Sequence, residues 1–387
     1  MKKVSTMFIA LCFILSLYSG SAFAEEKKTE LAEDSKSAIL IERDTGTVLY
    51  EKNTDEKLSP ASMTKIMTML LIMEAIDSEK ITMDEKVTTS EYAASMGGSQ
   101  IFLEPGEEMT VKELLLAVAI GSANDAAVAL AEKISGSEEA FVDRMNDRAK
   151  ELGLKNTHFQ NTTGLPAEDH YSTAYDMAMM SKELLKHEEI TDFTKNYEAY
   201  LREDTDNKFW LVNTNKLVKF YPGVDGLKTG FTSEAKYCLT ATAKKDGMRV
   251  IAVVFGAPTS KSRNAQITKM LDYSFSQYAT HPLYEKGEIL DKVKVSKGDK
   301  KEIKAVTGEH VSVLTKKGEK LDDLTEEIRL HDHIKAPVKK GDEVGFLKVK
   351  KDDKQLVEIP LVAKETVKKA SWWQLYKRSF GLFTKTD

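Results

Sequence analysis

The chain has almost no cysteine: two residues in 387, Cys12 and Cys238. A disulfide framework is therefore excluded, because Cys12 lies in an apolar leader and Cys238 is left alone in "YCLTATA", which reads as a buried strand. Long apolar runs are also missing. The longest, residues 7–18, is too short to cross a bilayer; Lys2 and Lys3 precede it and Ala22-Phe23-Ala24 closes it. That pattern predicts a secretory signal peptide over 1–24 with cleavage after Ala24, and Cys12 lacks the preceding small residues that lipid attachment needs. Cleavage leaves 387 − 24 = 363 residues, room for two domains. An excess of positive charge is absent too. Lys and Arg number 56 against 61 acidic residues, a net charge of −5, which excludes nucleic acid as a partner. On a strand His331 and His333 would share one face and could bind metal, but no third ligand accompanies them; they read as an exposed turn, and neither metal nor cofactor is expected. Lysine-rich runs such as "KVKKDDK" read as solvated faces.

What is present reads as two folded parts and a tail. Residues 37–52, "SAILIERDTGTVLYEK", predict two strands around a turn. Ser59 and Pro60 then suit the N-cap and first position of a helix that continues through "IMTMLLIMEAI". Residues 110–195 predict mostly helix, with "NTTGLPAEDHYS" as a loop. Strands return at 209–256, and "SRNAQITKMLDYSFSQY" predicts a closing helix. Strands flanking a helical insertion make an α+β domain, 25–282. From 283 to 370, short alternating runs separated by Gly and Asp predict a small all-β domain. The tail 371–387, "SWWQLYKRSFGLFTKTD", placed on a helix gathers Trp372, Trp373, Tyr376, Phe380 and Phe383 in one arc, with Gln374, Lys377, Arg378 and Lys385 opposite. It is too short and charged to span a membrane, and suits one lying in the interface.

The stretch "SPASMTKIMT" sets Ser62 and Lys65 three positions apart, on one face of a helix. Lysine becomes a base only if its pKa falls from about 10.4 to about 7–8, an environmental effect of roughly 4 kcal/mol. S-x-x-K alone is a weak signal. Two further stretches strengthen it: "IGSANDAA", with Ser122 and Asn124 at a loop between helices, and "GVDGLKTGFT", with Lys228, Thr229 and Gly230 on a strand. S-x-x-K, S-x-N and K-T-G in that order mark serine penicillin-binding proteins and class A β-lactamases. The chemistry is coherent. Ser62 attacks an acyl carbonyl and Lys65 takes its proton. Lys228 is a second cation that lowers the Lys65 pKa. Ser122 relays a proton to the leaving amine, and Asn124 holds either Lys65 or a substrate amide. Gly230 lets a substrate backbone approach, and the N–H groups of Ser62 and Phe231 suit an oxyanion hole.

Around these triplets, "SAILIERDTGTVLYEKN", "GGSQIFLEPGEEMTVKELL", "NTTGL…HYSTAYDMA" and "YPGVDGLKTGFTSEAKYCLTATAKKDGMRVIAVVFGA" resemble the D-alanyl-D-alanine carboxypeptidases, the low-molecular-mass penicillin-binding proteins of peptidase family S11. The resemblance covers residues 35–280, and the part after 283 resembles that family's small C-terminal domain; in detail it is nearest the sporulation-associated members of Bacillus-like bacteria. It implies a penicillin-binding/β-lactamase-like fold, an antiparallel sheet flanked by helices with a helical insertion, followed by the all-β domain and an amphipathic C-terminal helix. The implied activity is removal of D-Ala from peptidoglycan stem peptides ending in D-Ala-D-Ala, with covalent inhibition by β-lactams. Thr229 and Arg263 are implied to bind the terminal carboxylate. The tail is implied to anchor the exported protein on the outer face of the cytoplasmic membrane. Ala123 and Lys236 stand where Gly is common in the family. Two rivals are a β-lactamase, for which Glu168 would be the deacylating acid although "DHYS" follows it, and a non-catalytic wall-binding protein.

Overall fold

A computed structural model describes residues 30–352 and 354–376. The leader expected at 1–24 lies outside them, as does the tail from 377. The predicted hairpin forms from Ser37–Glu42 and Val48–Lys52. It joins an antiparallel five-stranded sheet in which Ser37–Glu42 pairs with Met248–Ala257, then Lys236–Lys245, then Val224–Thr232 at the edge. Met248–Ala257 reads "MRVIAVVFGA", a continuous apolar run, because both faces of this inner strand are covered. Ile251, Val253 and Phe255 join the large core under the helical insertion. The alternate Val250, Ala252 and Val254 point the other way, where helix Ser260–Gln277 packs.

Helix Lys65–Asp77 is buried almost all round, so it runs through the core rather than along its surface. Its start departs from expectation. A 3-10 turn, Ala61–Thr64, precedes it; Pro60 flanks that turn, and no side chain caps it. Ala61 has φ +47°, a left-handed value that a helix-initiating residue does not adopt. In the insertion, Val111–Leu116 passes into a π-turn, Ala117–Gly121, and Asn124 opens the next helix, Asn124–Ser135, rather than lying in the loop. The strand expected near 209 is Phe209–Val212, which pairs with Glu198–Leu201 in a separate ribbon.

The C-terminal part is all β. Tyr278–Tyr284 pairs with Val311–Lys316, so the expected division at 282/283 falls inside a strand. A six-stranded sheet follows in the order Leu324–Leu330, Glu343–Lys351, Lys354–Ala363, Glu302–Thr307, Ile289–Ser296 and Ile334–Lys335. Its core is aliphatic, with Val295, Ile303, Leu347, Val349 and Leu361 among its members. His331 and His333 sit at an exposed bend before Ile334–Lys335, as the exposed-turn reading expects. In the tail, Ser371 Oγ accepts from the Gln374 N–H at 3.3 Å and caps a turn over 372–376.

Candidate active site

The turn bearing Ser62 is held by glycines from two distant segments. Gly164 has φ +81°, and a Cβ there would lie 1.8 Å from the Ala61 carbonyl oxygen. A Cβ on Gly230 would lie 2.7 Å from the Pro60 carbonyl oxygen. This close approach gives the physical reason for the unexpected helix start: the backbone at 60–62 is fitted between two neighbours that only glycine permits. The loop carrying Gly164 is itself fastened to the turn. His170 Nδ1 accepts from the Gln160 N–H at 3.1 Å, so Nε2 carries the proton and donates to Thr64 Oγ1 at 2.8 Å. Burial holds this imidazole neutral, its pKa pulled down to about 4.

One helical turn on, Lys65 is fully buried. Its Nζ donates to Asn124 Oδ1 at 2.6 Å and the Thr163 carbonyl at 2.8 Å, and is hydrogen-bonded to Ser62 Oγ at 3.2 Å. All three partners are neutral. Burial pushes the amine well below its ordinary pKa, and the Lys228 charge pushes it further; buried Asp125 acts in the opposite direction. Lys228 is also buried, donates to the Thr229 carbonyl at 3.1 Å, and is pulled down to about 7 by burial and then by Arg263.

Ser122 follows the π-turn with φ +62°, and its buried Oγ has no hydrogen-bond partner among the described residues. Asn124 is fixed on both sides: Oδ1 accepts from Lys65, and Nδ2 donates to the Gly97 carbonyl at 2.7 Å. Of the two roles open to it, this geometry realises the hold on Lys65. Thr229 Oγ1 donates to Thr214 Oγ1 at 2.7 Å. Phe231 is exposed, its ring 4.5 Å from that of Tyr237. Arg263, in the first turn of Ser260–Gln277, is buried, and its Nε and Nη2 both donate to Asn264 Oδ1 at 3.0 and 2.9 Å. Burial lowers it to about 10.

A cleft of about 370 Å³ joins these groups: Ser62, Ser122, Thr229, Gly230, Phe231 and Arg263 all line it, while Lys65, Asn124 and Lys228 lie behind it. Among the described residues no carboxylate lines this cleft. It is a site for an anion beside a serine whose proton has a neutralised amine to go to. Sequence reasoning missed Ser99, Thr214, Lys216, Tyr237, Ser260 and Asn264 in its wall. It also missed buried Asp125, whose carboxylate accepts from the Ile101 and Leu103 N–H groups at 3.0 and 3.1 Å and so shapes the loop carrying Ser99. The unbroken "SANDAA" was the available signal for Asp125; Thr163, acting through its carbonyl, left none. Glu168 is exposed and is not part of the cleft.

Comparison with known proteins gives the family. The D-alanyl-D-alanine carboxypeptidase family, Peptidase S11, matches residues 23–259, and the penicillin-binding protein 5 C-terminal domain matches 278–369. The chain is 63% identical over 387 residues to D-alanyl-D-alanine carboxypeptidase DacF of Bacillus subtilis (strain 168), covering 99% of each. Among solved structures it is similar to penicillin binding protein 5 from Haemophilus influenzae, with TM-score 0.67 and 31% identity over 87% of this chain and 98% of that one. It is also similar to penicillin-binding protein D2 from Listeria monocytogenes in the ampicillin-bound form, with TM-score 0.54 and 33% identity over 62% of this chain and 98% of that one. On sequence, domain composition and site geometry together, the chain belongs to the D-alanyl-D-alanine carboxypeptidases of peptidase family S11.

Proposed function

We propose that this chain is an exported serine-type carboxypeptidase that removes the terminal D-Ala of peptidoglycan stem pentapeptides through an acyl-enzyme on Ser62. The observation that carries the reading is the buried Lys65 amine, 3.2 Å from Ser62 Oγ and surrounded by neutral acceptors. Substrate enters with its terminal carboxylate at Thr229 and Arg263. Ser62 Oγ attacks the carbonyl of the penultimate D-Ala while Lys65 Nζ takes the hydroxyl proton. The oxyanion lies against the N–H groups of Ser62 and Phe231. The C–N bond then breaks, and the departing amine receives a proton through Ser122. Water adds to the ester, Lys65 again accepting a proton, and the shortened peptide leaves with Ser62 restored. A β-lactam acylates the same oxygen, but its leaving amine stays tethered, so the adduct persists.

The decisive experiment combines fluorescent penicillin labelling with release of D-Ala from a D-Ala-D-Ala peptide. Ser62→Ala should lose both. Lys65→Arg, which stays protonated, should slow acylation on the order of 10²–10⁴-fold. Labelling retained in Ser62→Ala would mean a different nucleophile. Rapid penicillin hydrolysis would favour a β-lactamase, a reading that the exposed position of Glu168 does not support.

The leader over 1–24 supports export to the outer side of the cytoplasmic membrane. The aromatic-and-cation tail supports peripheral attachment there; deleting 371–387 should move the protein from the membrane fraction to the soluble one with peptide turnover unchanged. Resemblance to sporulation-associated members supports action on the wall made during sporulation, tested by whether the protein first accumulates after sporulation begins.

A further inference from the structure

Three segments of the C-terminal domain meet at one edge of its sheet. Ser296 pairs with Lys335, and Val338 bridges Val367. The Ala370 N–H donates to the Lys297 carbonyl at 2.9 Å, the Asp299 N–H to the Lys368 carbonyl at 2.8 Å, and the Lys340 N–H to Thr366 Oγ1 at 3.1 Å. This lacing brings together lysines that are scattered in sequence: Lys297, Lys335, Lys339, Lys340, Lys368 and Lys369. All six are exposed, and none forms an ion pair within 4.0 Å among the described residues. The acids nearby are otherwise engaged. Glu365 pairs with Lys300, the Asp299 carboxylate accepts from the Lys300 and Lys368 N–H groups, and Asp342 accepts from the Lys339 N–H. The opposite edge strand, Leu324–Leu330, carries Glu326 and Glu327 and follows Asp322 and Asp323. There Glu327 pairs with Arg329 and Lys350, so charge at that edge is mixed and paired, whereas the six lysines at the first edge form no ion pair among the described residues.

The chain leaves the basic edge directly into the tail. Trp372 and Trp373 are 73% and 59% exposed, and with Tyr376 they stack at 5.2–5.6 Å between ring centroids. Exposed amphipathic rings beside unpaired ammonium groups suit the headgroup layer of a bilayer. A soluble polyanion would engage the lysines and leave the rings in water. We propose that the basic edge of the β domain is a membrane contact in its own right, selective for anionic phospholipid, that works beside the tail. The proposal rests on the membrane reading given above and adds to it a second element and a lipid class. Each lysine held near an anionic surface strengthens binding about fivefold, and salt screens the effect.

The test uses the purified protein and two vesicle types, phosphatidylcholine alone and phosphatidylcholine mixed with phosphatidylglycerol. A variant with Lys335→Gln, Lys339→Gln, Lys340→Gln, Lys368→Gln and Lys369→Gln should bind mixed vesicles more than about tenfold more weakly and lose the preference for them. Its turnover of a soluble D-Ala-D-Ala peptide should match wild type, which reports an intact fold. The chain lacking 371–387 should keep weak, salt-sensitive binding to mixed vesicles. Salt titration of the unaltered protein is an independent readout, and its binding should fall as salt rises. Wild-type binding by the lysine variant, with none by the tail deletion, would overturn the inference and leave the tail as sole anchor. Failure of the unaltered protein to bind either vesicle would sink the membrane reading as well. Binding to soluble poly(glycerol phosphate) equal to that for mixed vesicles would assign the edge to a polymer instead and overturn the proposal.

Discussion

The two ends of the central sheet treat a buried arginine in opposite ways. At one end Arg249 is 7% exposed and grips Asp225 with two bonds of 2.8 Å, aided by Thr242 Oγ1 at 3.1 Å. At the other end Arg263 is 5% exposed and has only the neutral Asn264 amide oxygen. The first charge is neutralised within the fold and joins two strands. The second, with Lys228 near it, is desolvated and lacks a carboxylate among the described residues. Burying an unpaired charge is costly, and on the proposed function the missing anion is the substrate's terminal carboxylate. Buried charge alone does not mark a functional site; buried charge of one sign without a counter-ion does.

The sharpest way to break this comparison is to remove an uncompensated cation. Lys228 titrates at about 7 in the folded chain against 10.5 for the ordinary amine. Between those values the unfolded chain takes up a proton that the folded chain refuses. Stability should therefore fall as pH drops from 10.5 to about 7 and level off below, a span of roughly 5 kcal/mol. Lys228→Met should flatten part of that slope in urea titrations and leave the protein more stable at neutral pH, while D-Ala release is lost. An unchanged slope would show that the buried amine carries no such penalty. The paired end should respond inversely. Asp225→Ala strands Arg249 and should cost about 3–5 kcal/mol in unfolding, with penicillin labelling per folded molecule unchanged. The smallest effect separates the two arginines directly. Arg263→Ala should lower kcat/KM for a free-acid peptide by about 1.5–3 kcal/mol without destabilising the fold. An amidated peptide should be indifferent to the change; equal loss on both peptides would rule out a role in carboxylate binding.

The candidate residues that meet at the cleft were legible because serine, lysine and asparagine at fixed separations have few other reasons to recur in that order. The sheet was legible from "SAILIE", "CLTATA" and "VIAVVF", whose apolar runs suit strands covered on both faces. The helix start was not, because the left-handed Ala61 answers to Gly164, more than a hundred positions away, and not to its own neighbours. Local capping signals at Ser59 and Pro60 were overridden by that tertiary fit. Thr163 contributes a backbone carbonyl, which no side-chain pattern can announce. The strand Tyr278–Tyr284 was illegible for a related reason: it has the aromatic, mixed composition of a helix end, and only its pairing with Val311–Lys316 makes it a strand.

The fit of residues 60–62 between Gly164 and Gly230 has a consequence in time. The three segments lie 164 − 62 = 102 and 230 − 164 = 66 positions apart, so the last of them emerges from the ribosome well after the serine does. Until all three have met, Ser62 is an ordinary hydroxyl beside an ordinary protonated amine. On the proposed function, a chain not yet folded thus carries no acylating group, reacts with no antibiotic and cleaves no peptide. Its competence switches on at the final act of assembly, and a covalent penicillin label is a clock for that moment.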